Sequence, residues 1–226
     1  MNLNDSGGPM YTAIIVAAGS GTRTELGYNK VFYEVKGKSI LSYCVENFLH
    51  DPDFSEIIVV HAKEELERMK TILKDPQIIF VEGGANRQAS VYNGLKAVTN
   101  AVVFIHDGAR PNIKKEYLEK LKSHLCDTKA MTLAIQSKDT VKIVQNNMIT
   151  ADIPRSQAYL LQTPQVFLTE AIREAHEALK NISIPLTDDT SIFQKHFSKG
   201  VMIVEGDEEN IKVTTKFDLM ILEDLL

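Results

Sequence analysis

Residues 11–23 read YTAIIVAAGSGTR, a short apolar run that leads directly into a glycine-containing loop. The run is rich in Ile and Ala and apolar on both faces, which is typical of a buried parallel strand over Tyr11–Ala18. Three later segments of the same character predict further strands: Glu56–Val60, Ile78–Val81 and Ala101–Ile105.

Helical patterns separate these strands and continue after them. The predicted helices are Ser39–Leu49, Lys63–Leu73, Arg87–Val98, Lys114–Leu125, Thr169–Lys180 and Lys216–Leu225, with one more strand at Val201–Glu205. Alternation of strand and helix requires right-handed crossovers. We therefore expect an α/β protein with a Rossmann-like, open, mostly parallel twisted sheet and helices on both faces.

Residues Asp139–Thr150 (DTVKIVQNNMIT) break this rhythm and predict a β-hairpin with Asn146-Asn147 at its turn. A solvated two-stranded ribbon is marginal alone, so we expect it to pack against a second subunit as a homodimer. The polar segment 1–9 is interpreted as a disordered leader or a cloning remnant. Residues 10–226 are then one domain, with an arm at about 137–157.

Composition limits the functions that the chain can have. The 226 residues carry 25 Lys and Arg against 30 Asp and Glu, a net charge of −5, which does not favour nucleic-acid binding by charge alone. The longest apolar run, Ala13–Ala18, is far shorter than the ~20 residues that span a membrane, and no secretory signal is predicted. Cys44 and Cys126 are widely separated and are interpreted as core thiols in a reducing cytoplasm.

The loop after the first strand is a candidate phosphate site. Gly19 and Gly21 would let backbone N–H groups approach phosphate oxygens, and the cations Arg23 and Lys30 follow closely. Thr24 stands where a dinucleotide fingerprint needs glycine, so that ligand class is not indicated. A glycine loop followed by both cations suggests a triphosphate that is attacked at its α-phosphorus. The alternatives are a tight turn without ligand and two solvated surface cations.

Two further groups of residues extend this candidate site. Asp107 ends the fourth strand, where its carboxylate could bind Mg²⁺. A helix cap or turn role is equally frequent for an aspartate at such a position. His106 beside it is interpreted as a hydrogen-bonded core histidine. Gly83 and Ser90 could contact a flat base, or could form a plain strand-to-helix turn. Lys212 lies in an apolar, strand-like context and either meets a buried anion or reaches solvent.

An ordered set of motifs resembles the 2-C-methyl-D-erythritol 4-phosphate cytidylyltransferase family. The resemblance runs from Tyr11 to the C-terminus and comprises AAGSGTR (17–23), NKVF (29–32), GKSIL (37–41), Gly83-Gly84, RxxSV (87–91), HDGARP (106–111), DTVK (139–142), IPR (153–155), QTPQVF (162–167), TDD (187–189), Glu205-Gly206, NIKVTT (210–215) and Asp218-Leu219. The family often has Pro-Lys-Gln where this chain has Asn29-Lys30-Val31, so the lysine is kept.

The resemblance implies a nucleotidyltransferase-type fold of the glycosyltransferase-A-like kind, a hairpin arm exchanged in a homodimer, and a reaction of the non-mevalonate isoprenoid pathway. In that reaction CTP and methylerythritol 4-phosphate give the CDP-alcohol and pyrophosphate. The resemblance assigns catalytic roles to Arg23, Lys30, Arg155 and Lys212, and the Mg²⁺ ligand to Asp107. It assigns CTP binding to Ala17, Ala18, Gly19, Ser20, Gly21, Gly83, Ser90 and Gly108. It assigns binding of the sugar phosphate to Arg110, Thr140, Arg155, Thr163 and Thr187.

Two other functions compete with this interpretation. A polyol-phosphate cytidylyltransferase, such as the ribitol 5-phosphate enzyme, has the same fold and CTP site. Ala17-Ala18-Gly19 and Ala109-Arg110-Pro111 favour methylerythritol phosphate as the acceptor instead. A non-enzymatic nucleotide-binding module is disfavoured because Arg23, Lys30, Asp107 and Lys212 are all present.

Overall fold

The computed structural model describes Gly8 and residues 10–19, 26–126, 128–182 and 186–226. The strands are β1 (Tyr11–Val16), β2 (Glu34–Val35), β3 (Lys38–Ser39), β4 (Phe54–His61), β5 (Ile78–Glu82), β6 (Val102–Asp107), β7 (Ala130–Gln136), β8 (Lys142–Gln145), β9 (Met148–Asp152), β10 (Tyr159–Leu168) and β11 (Met202–Glu205). The helices are α1 (Ile40–Leu49), α2 (Leu66–Ile72), α3 (Arg87–Ala97), α4 (Lys115–Ser123), α5 (Thr169–Leu179), α6 (Asp189–Phe197) and α7 (Lys216–Leu225).

Seven of these strands form one sheet in the order β11-β7-β10-β6-β1-β4-β5. Within it, β10 alone runs antiparallel to its neighbours, which confirms the predicted mostly parallel sheet. The central strand β1 lies between β4 and β6, so that Val16 is level with Val60 and Asp107. The carboxyl ends of these strands therefore meet at one edge of the sheet, where ligands bind in open α/β folds.

Both faces of the sheet are buried, as the apolar runs predicted. Alternate side chains of one strand enter opposite cores: Ile15 packs on the face covered by α1 and α4, and Ile14 packs on the face covered by α3, α5 and α6. Phe48 from α1 and Leu95 from α3 are fully buried in these two cores. Burial on both sides fixes the register of β1 and hence the position of the residues that follow it.

Five strands and helices were not predicted from the sequence: β2, β3, β7, β10 and α6. Strand β10 contains Pro164 and three buried polar residues, Gln162, Thr163 and Gln165, a composition that argues against a central strand. Its pairing with β7 is irregular between Leu161 and Gln165, which accommodates the proline. Tertiary contacts rather than local pattern therefore decide this strand.

The predicted hairpin is confirmed: β8 and β9 pair antiparallel, and all of their residues are exposed. Its turn has positive φ at Asn146 (49°) and Asn147 (62°), as a tight two-residue hairpin turn requires. Packing of this arm against a second subunit, and the domain boundaries, stay predictions.

The expectation of two core thiols was wrong for one of them. Cys44 is buried, whereas Cys126 is exposed just after α4. Apart from Gly8, the predicted leader lies outside the described residues. Among the described residues, none of the helices combines the length and apolar character needed to cross a membrane.

Candidate active site

The ends of β1 and β6 approach each other closely at Gly108. Its N–H donates a hydrogen bond to the Val16 carbonyl at 2.9 Å, and a Cβ at this position would lie 3.0 Å from that oxygen and 3.2 Å from the Ala17 Cβ. The missing side chain therefore lets the two strand ends stay in contact where Ala17 faces the edge of the sheet.

A second glycine packs against the other side of the same edge. A Cβ on Gly83 would lie 2.7 Å from the Ala18 Cβ and 3.0 Å from Ser90 Oγ, so a side chain there would displace both. The Ser90 hydroxyl accepts a hydrogen bond from the N–H of Gly84 at 3.0 Å and is buried on α3. The residues predicted to line the base are thus close together.

Two cavities open at this edge, and both are lined by Arg87, Asp107 and Lys212. The first is also lined by the predicted CTP residues Ala17, Ala18, Gly19, Ser90 and Lys30. The second is also lined by Arg110, Thr163 and Thr187, the residues predicted for the sugar phosphate within this chain. Gly83 and Gly108 line neither cavity, but they pack against Ala18 and Ala17, which line the first.

The charge of the combined lining is positive. The lining contains four cations, Lys30, Arg87, Arg110 and Lys212, and two carboxylates, Asp107 and Asp188. An excess of positive charge in a concave site attracts polyanionic ligands. The site therefore suits phosphate-bearing molecules, although the whole chain is acidic.

Asp107 is the carboxylate about which these cations are arranged. Its Oδ2 lies 2.8 Å from Lys212 Nζ and 3.7 Å from Arg110 Nε, and its Oδ1 lies 3.5 Å from Arg87 Nε. Burial by itself would raise the pKa of Asp107, but Arg87, Lys212 and Arg110 outweigh burial and hold that pKa well below its ordinary value of 3.8. Lys212 is thus paired with an anion, which is one of the two alternatives that its apolar context predicted. It lies in a loop rather than in a strand.

Whether Asp107 could hold Mg²⁺ depends on what supplies the other ligands. The described residues contain no cluster of three or more metal-ligating side chains. Mg²⁺ needs only one or two carboxylates when phosphate oxygens and water complete its octahedron. Asp107, which lines both cation-lined cavities, fits that requirement as the one carboxylate.

Arg87 and Asp189 are site residues to which the sequence assigned no role. Arg87 Nη1 lies 2.8 Å from Asp189 Oδ2, and Asp189 Oδ1 lies 3.0 Å from His176 Nε2, with Asp189 and His176 fully buried. Burial would lower the pKa of Arg87, but Asp189 and Asp107 raise it above its ordinary value. Both residues lie in quoted motifs, RxxSV and TDD, and that was the available signal.

Arg110 and Thr163 are held tightly behind the second cavity. Arg110 donates from Nη1 to the Asn210 carbonyl at 2.7 Å, and the Thr163 hydroxyl accepts from the N–H of Asp107 at 3.1 Å. His106 bonds the Arg110 carbonyl through Nε2 at 2.9 Å and the Thr163 hydroxyl through Nδ1 at 3.0 Å. His106 is therefore a hydrogen-bonded core histidine, as predicted, and it fixes both neighbours.

Thr140 and Arg155 are not brought to these cavities by their own chain. Both are exposed, Arg155 Nη2 lies 3.5 Å from Thr140 Oγ1, and Arg155 lines a separate cavity with Glu205 and Asp207. Three other predicted site residues, Ser20, Gly21 and Arg23, lie outside the described residues.

An open, mostly parallel sheet with two cation-lined cavities at its carboxyl edge defines a nucleotidyltransferase-type α/β protein. The sequence profile of the 2-C-methyl-D-erythritol 4-phosphate cytidylyltransferases matches residues 11–226. The chain belongs to this family, and the predicted resemblance is confirmed.

Individual relatives agree with the profile along nearly the whole chain. The Clostridium acetobutylicum enzyme of this name is 39% identical over 224 residues, which cover 96% of this chain and 97% of that protein. The Halalkalibacterium halodurans enzyme is 36% identical, with 96% of each chain covered. The crystal structure of 4-diphosphocytidyl-2C-methyl-D-erythritol synthase from Anaerococcus prevotii superposes with a TM-score of 0.85 at 32% identity, covering 96% of this chain and 97% of that one.

The buried His106 predicts a specific loss of stability in acid. Burial lowers the pKa of His106 from 6.5 to about 4, so between those values the unfolded chain binds a proton that the folded chain does not. The free energy of unfolding should fall by about 3 kcal/mol as pH drops from 6.5 to 4. Urea unfolding at several pH values across this range measures the loss in free energy of unfolding. Asp107, whose pKa is lowered, reduces stability only when the pH falls below 3.8.

The control is His106→Gln, which should flatten this part of the stability profile. Replacement of the exposed His50 by Gln should leave the profile steep. An unchanged slope in His106→Gln would show that another group causes the acid sensitivity.

Proposed function

We propose that this chain transfers the cytidylyl group of CTP to 2-C-methyl-D-erythritol 4-phosphate, releasing pyrophosphate. The observation that carries the proposal is the pair of cavities that share Arg87, Asp107 and Lys212, because two anionic substrates must meet around one set of charges. Membership of the cytidylyltransferase family supplies the identity of both substrates.

CTP is proposed to occupy the cavity at the end of β1. Ala17, Ala18 and Ser90 would border its cytidine, with Gly83 and Gly108 beside them, because neither glycine has a side chain that would displace Ala18 or Ala17. Its triphosphate would lie along the loop of Gly19, Ser20 and Gly21, with Arg23 and Lys30 as its cations. Backbone N–H groups of a glycine loop suit phosphate oxygens.

The sugar phosphate is proposed to enter the second cavity. Arg110, Thr163 and Thr187 would border it there, with Lys212 between the phosphates of the two substrates. The phosphate oxygen of the acceptor, already anionic, attacks the α-phosphorus of CTP. The bond between the α-phosphorus and the oxygen that bridges to the β-phosphate breaks, and pyrophosphate leaves with its electron pair.

No proton has to be removed from the nucleophile, so the chain's contribution is positioning and charge neutralisation. Lys30 and Arg23 would offset the negative charge that grows on the α-phosphate in the transition state. Asp107 would hold Mg²⁺, which when bound supplies further positive charge to the triphosphate. Asp107 also keeps Lys212 and Arg87 in place before the substrates arrive.

The proposal includes a cytoplasmic homodimer in which the arm of one chain reaches the site of the other. The arm exposes Ile143, Val144, Met148 and Ile149, an apolar surface that the described part of its own chain leaves uncovered. Thr140 and Arg155, which lie apart from the Asp107 cavities of their own chain, would then grip the sugar phosphate in the partner's site.

A pyrophosphate-release assay with Mg²⁺ and CTP tests the function directly. Methylerythritol 4-phosphate should be turned over and ribitol 5-phosphate should not. Lys30→Ala should lower kcat about a hundredfold, because a preorganised donor to the transition state contributes ~3 kcal/mol, and KM for CTP should change much less. Arg23→Ala should behave alike. Preference for ribitol 5-phosphate, or wild-type kcat in Lys30→Ala, would contradict these assignments.

Asp107→Asn should raise the Mg²⁺ concentration needed for half-maximal activity and lower the maximum. The amide has the same shape but offers no anionic ligand, and it leaves Lys212 and Arg87 uncompensated. The matched control is Asp53→Asn, a carboxylate paired with Lys122 at 2.8 Å at the start of β4. If both variants keep the wild-type Mg²⁺ titration, Asp107 is structural.

The split site predicts complementation between two inactive variants. Arg155→Ala should raise KM for methylerythritol 4-phosphate far more than KM for CTP, since Arg155 would bind only the acceptor. In a mixed dimer with Lys30→Ala, one site carries both lesions and the other carries neither. Equal mixing with random exchange should therefore restore about a quarter of wild-type activity.

Subunit exchange must first be confirmed by mass spectrometry of differently tagged chains. Mixed dimers without any activity would place the whole site within one chain. Light scattering that shows a fully active monomer at assay concentration would likewise exclude arm exchange.

A further inference from the structure

Asn29 precedes Lys30 directly and is only 5% exposed. Its side chain makes three hydrogen bonds to three separate segments. Nδ2 donates to the Ala17 carbonyl at 2.8 Å and to Glu65 Oε2 at 2.9 Å, and Oδ1 accepts from the N–H of Val31 at 3.3 Å. One amide therefore joins the end of β1 to the turn that carries Lys30 and to the turn that carries Glu65.

The backbone around Lys30 is fixed by the same residue. Residues Lys30–Phe32 form a single 3₁₀ turn that Asn29 caps, and the Phe32 N–H donates to the Asn29 carbonyl at 3.1 Å. Val31 and Phe32 are buried, and the Arg68 guanidinium lies 4.0 Å from the centre of the Phe32 ring. The turn thus has little freedom to rotate: Val31 and Phe32 pack in the same core as β1, and the Asn29 amide adds a hydrogen bond to the end of that strand.

This attachment joins the two ends of the first cavity. Ala17 and Lys30 both line it, on the sides proposed for the cytidine and for the α-phosphate. We propose that Asn29 is a positioning residue for cytidylyl transfer, which holds Lys30 at a fixed distance from the nucleotide-binding end of β1. This inference rests on the proposed function, because it acts through Lys30.

The bonding pattern requires an amide specifically. The Ala17 carbonyl and the Glu65 carboxylate are both acceptors, so the side chain must present two N–H donors, and the Val31 N–H requires an acceptor on the same group. Asp offers no donor and would place a second carboxylate against Glu65. Ala removes all three bonds.

Asn29→Ala should therefore lower kcat about tenfold with less than a twofold change in KM for CTP. Misplacement of a catalytic group by ~1 Å can cost up to about a hundredfold, and the buried turn limits the displacement. The matched control is Asn100→Ala, a buried asparagine whose Nδ2 donates to Thr12 and Ser55 near the opposite end of the sheet. Asn100→Ala should lower Tm comparably and leave kcat unchanged.

A double-mutant cycle separates positioning from a general loss of structure. In a Lys30→Ala background, Asn29→Ala should change kcat by less than twofold, because the group that it positions is gone. A further tenfold loss there would overturn the inference. An unaffected kcat in Lys30→Ala alone would instead refute the role proposed for Lys30, so the two failures are distinguishable.

A swap of donor and acceptor gives an independent test. Glu65→Gln alone should keep wild-type kcat, because the Gln oxygen still accepts from Asn29. Asn29→Asp should lose activity like Asn29→Ala, and adding Glu65→Gln should recover less than twofold of it, since the Gln amide can donate to the new carboxylate but the Ala17 carbonyl still lacks its donor. Wild-type kcat in Asn29→Asp, or full recovery in the double variant, would contradict a positioning role that acts through β1.

Discussion

The attraction between the Asp107 carboxylate and the cations around it is the interaction on which the site depends. Arg87, Arg110 and Lys212 converge on one carboxylate at the sheet edge, where Arg110 is buried and Arg87 and Lys212 are partly exposed. Cations held this close together without an anion would repel each other, and Arg110 would also lose its hydration, so their convergence needs Asp107 when substrates are absent. The same three cations lower the pKa of Asp107, because they stabilise its charged form.

The fold places this carboxylate through backbone geometry rather than through side-chain adjustment. Asp107 is level with Val16 in the parallel pairing of β6 with β1, and both strands are buried on two faces, which excludes a shift of register. The absence of a Cβ at Gly108 then allows the residues after both strands to stay in contact. A site built at strand ends in this way inherits the rigidity of the core.

The sequence predicted the parts of the molecule that local pattern determines. Buried strands such as β1, the Asn146-Asn147 hairpin and the position of Asp107 at a strand end all follow from short segments. It failed where distant residues decide the outcome. The Arg87–Asp189 pair joins the starts of two helices far apart in the chain, and no local pattern indicates which carboxylate an arginine will meet. The prediction missed strand β10 for the same reason, because buried polar residues such as Gln165 find their partners far along the chain, here at Asp188.

The arrangement of charges also explains how so few residues could serve two anionic substrates. Lys212 and Arg87 line both cavities, so each contributes to the potential at either phosphate without changing its attachment to the protein. Preorganised charges of this kind need little rearrangement when negative charge moves from one phosphate group to another during transfer. Asp189 pairs with Arg87, and Asp107 pairs with both Arg87 and Lys212. A cation anchored in this way keeps its direction when a phosphate arrives, whereas a lysine on a solvated surface would first have to be ordered.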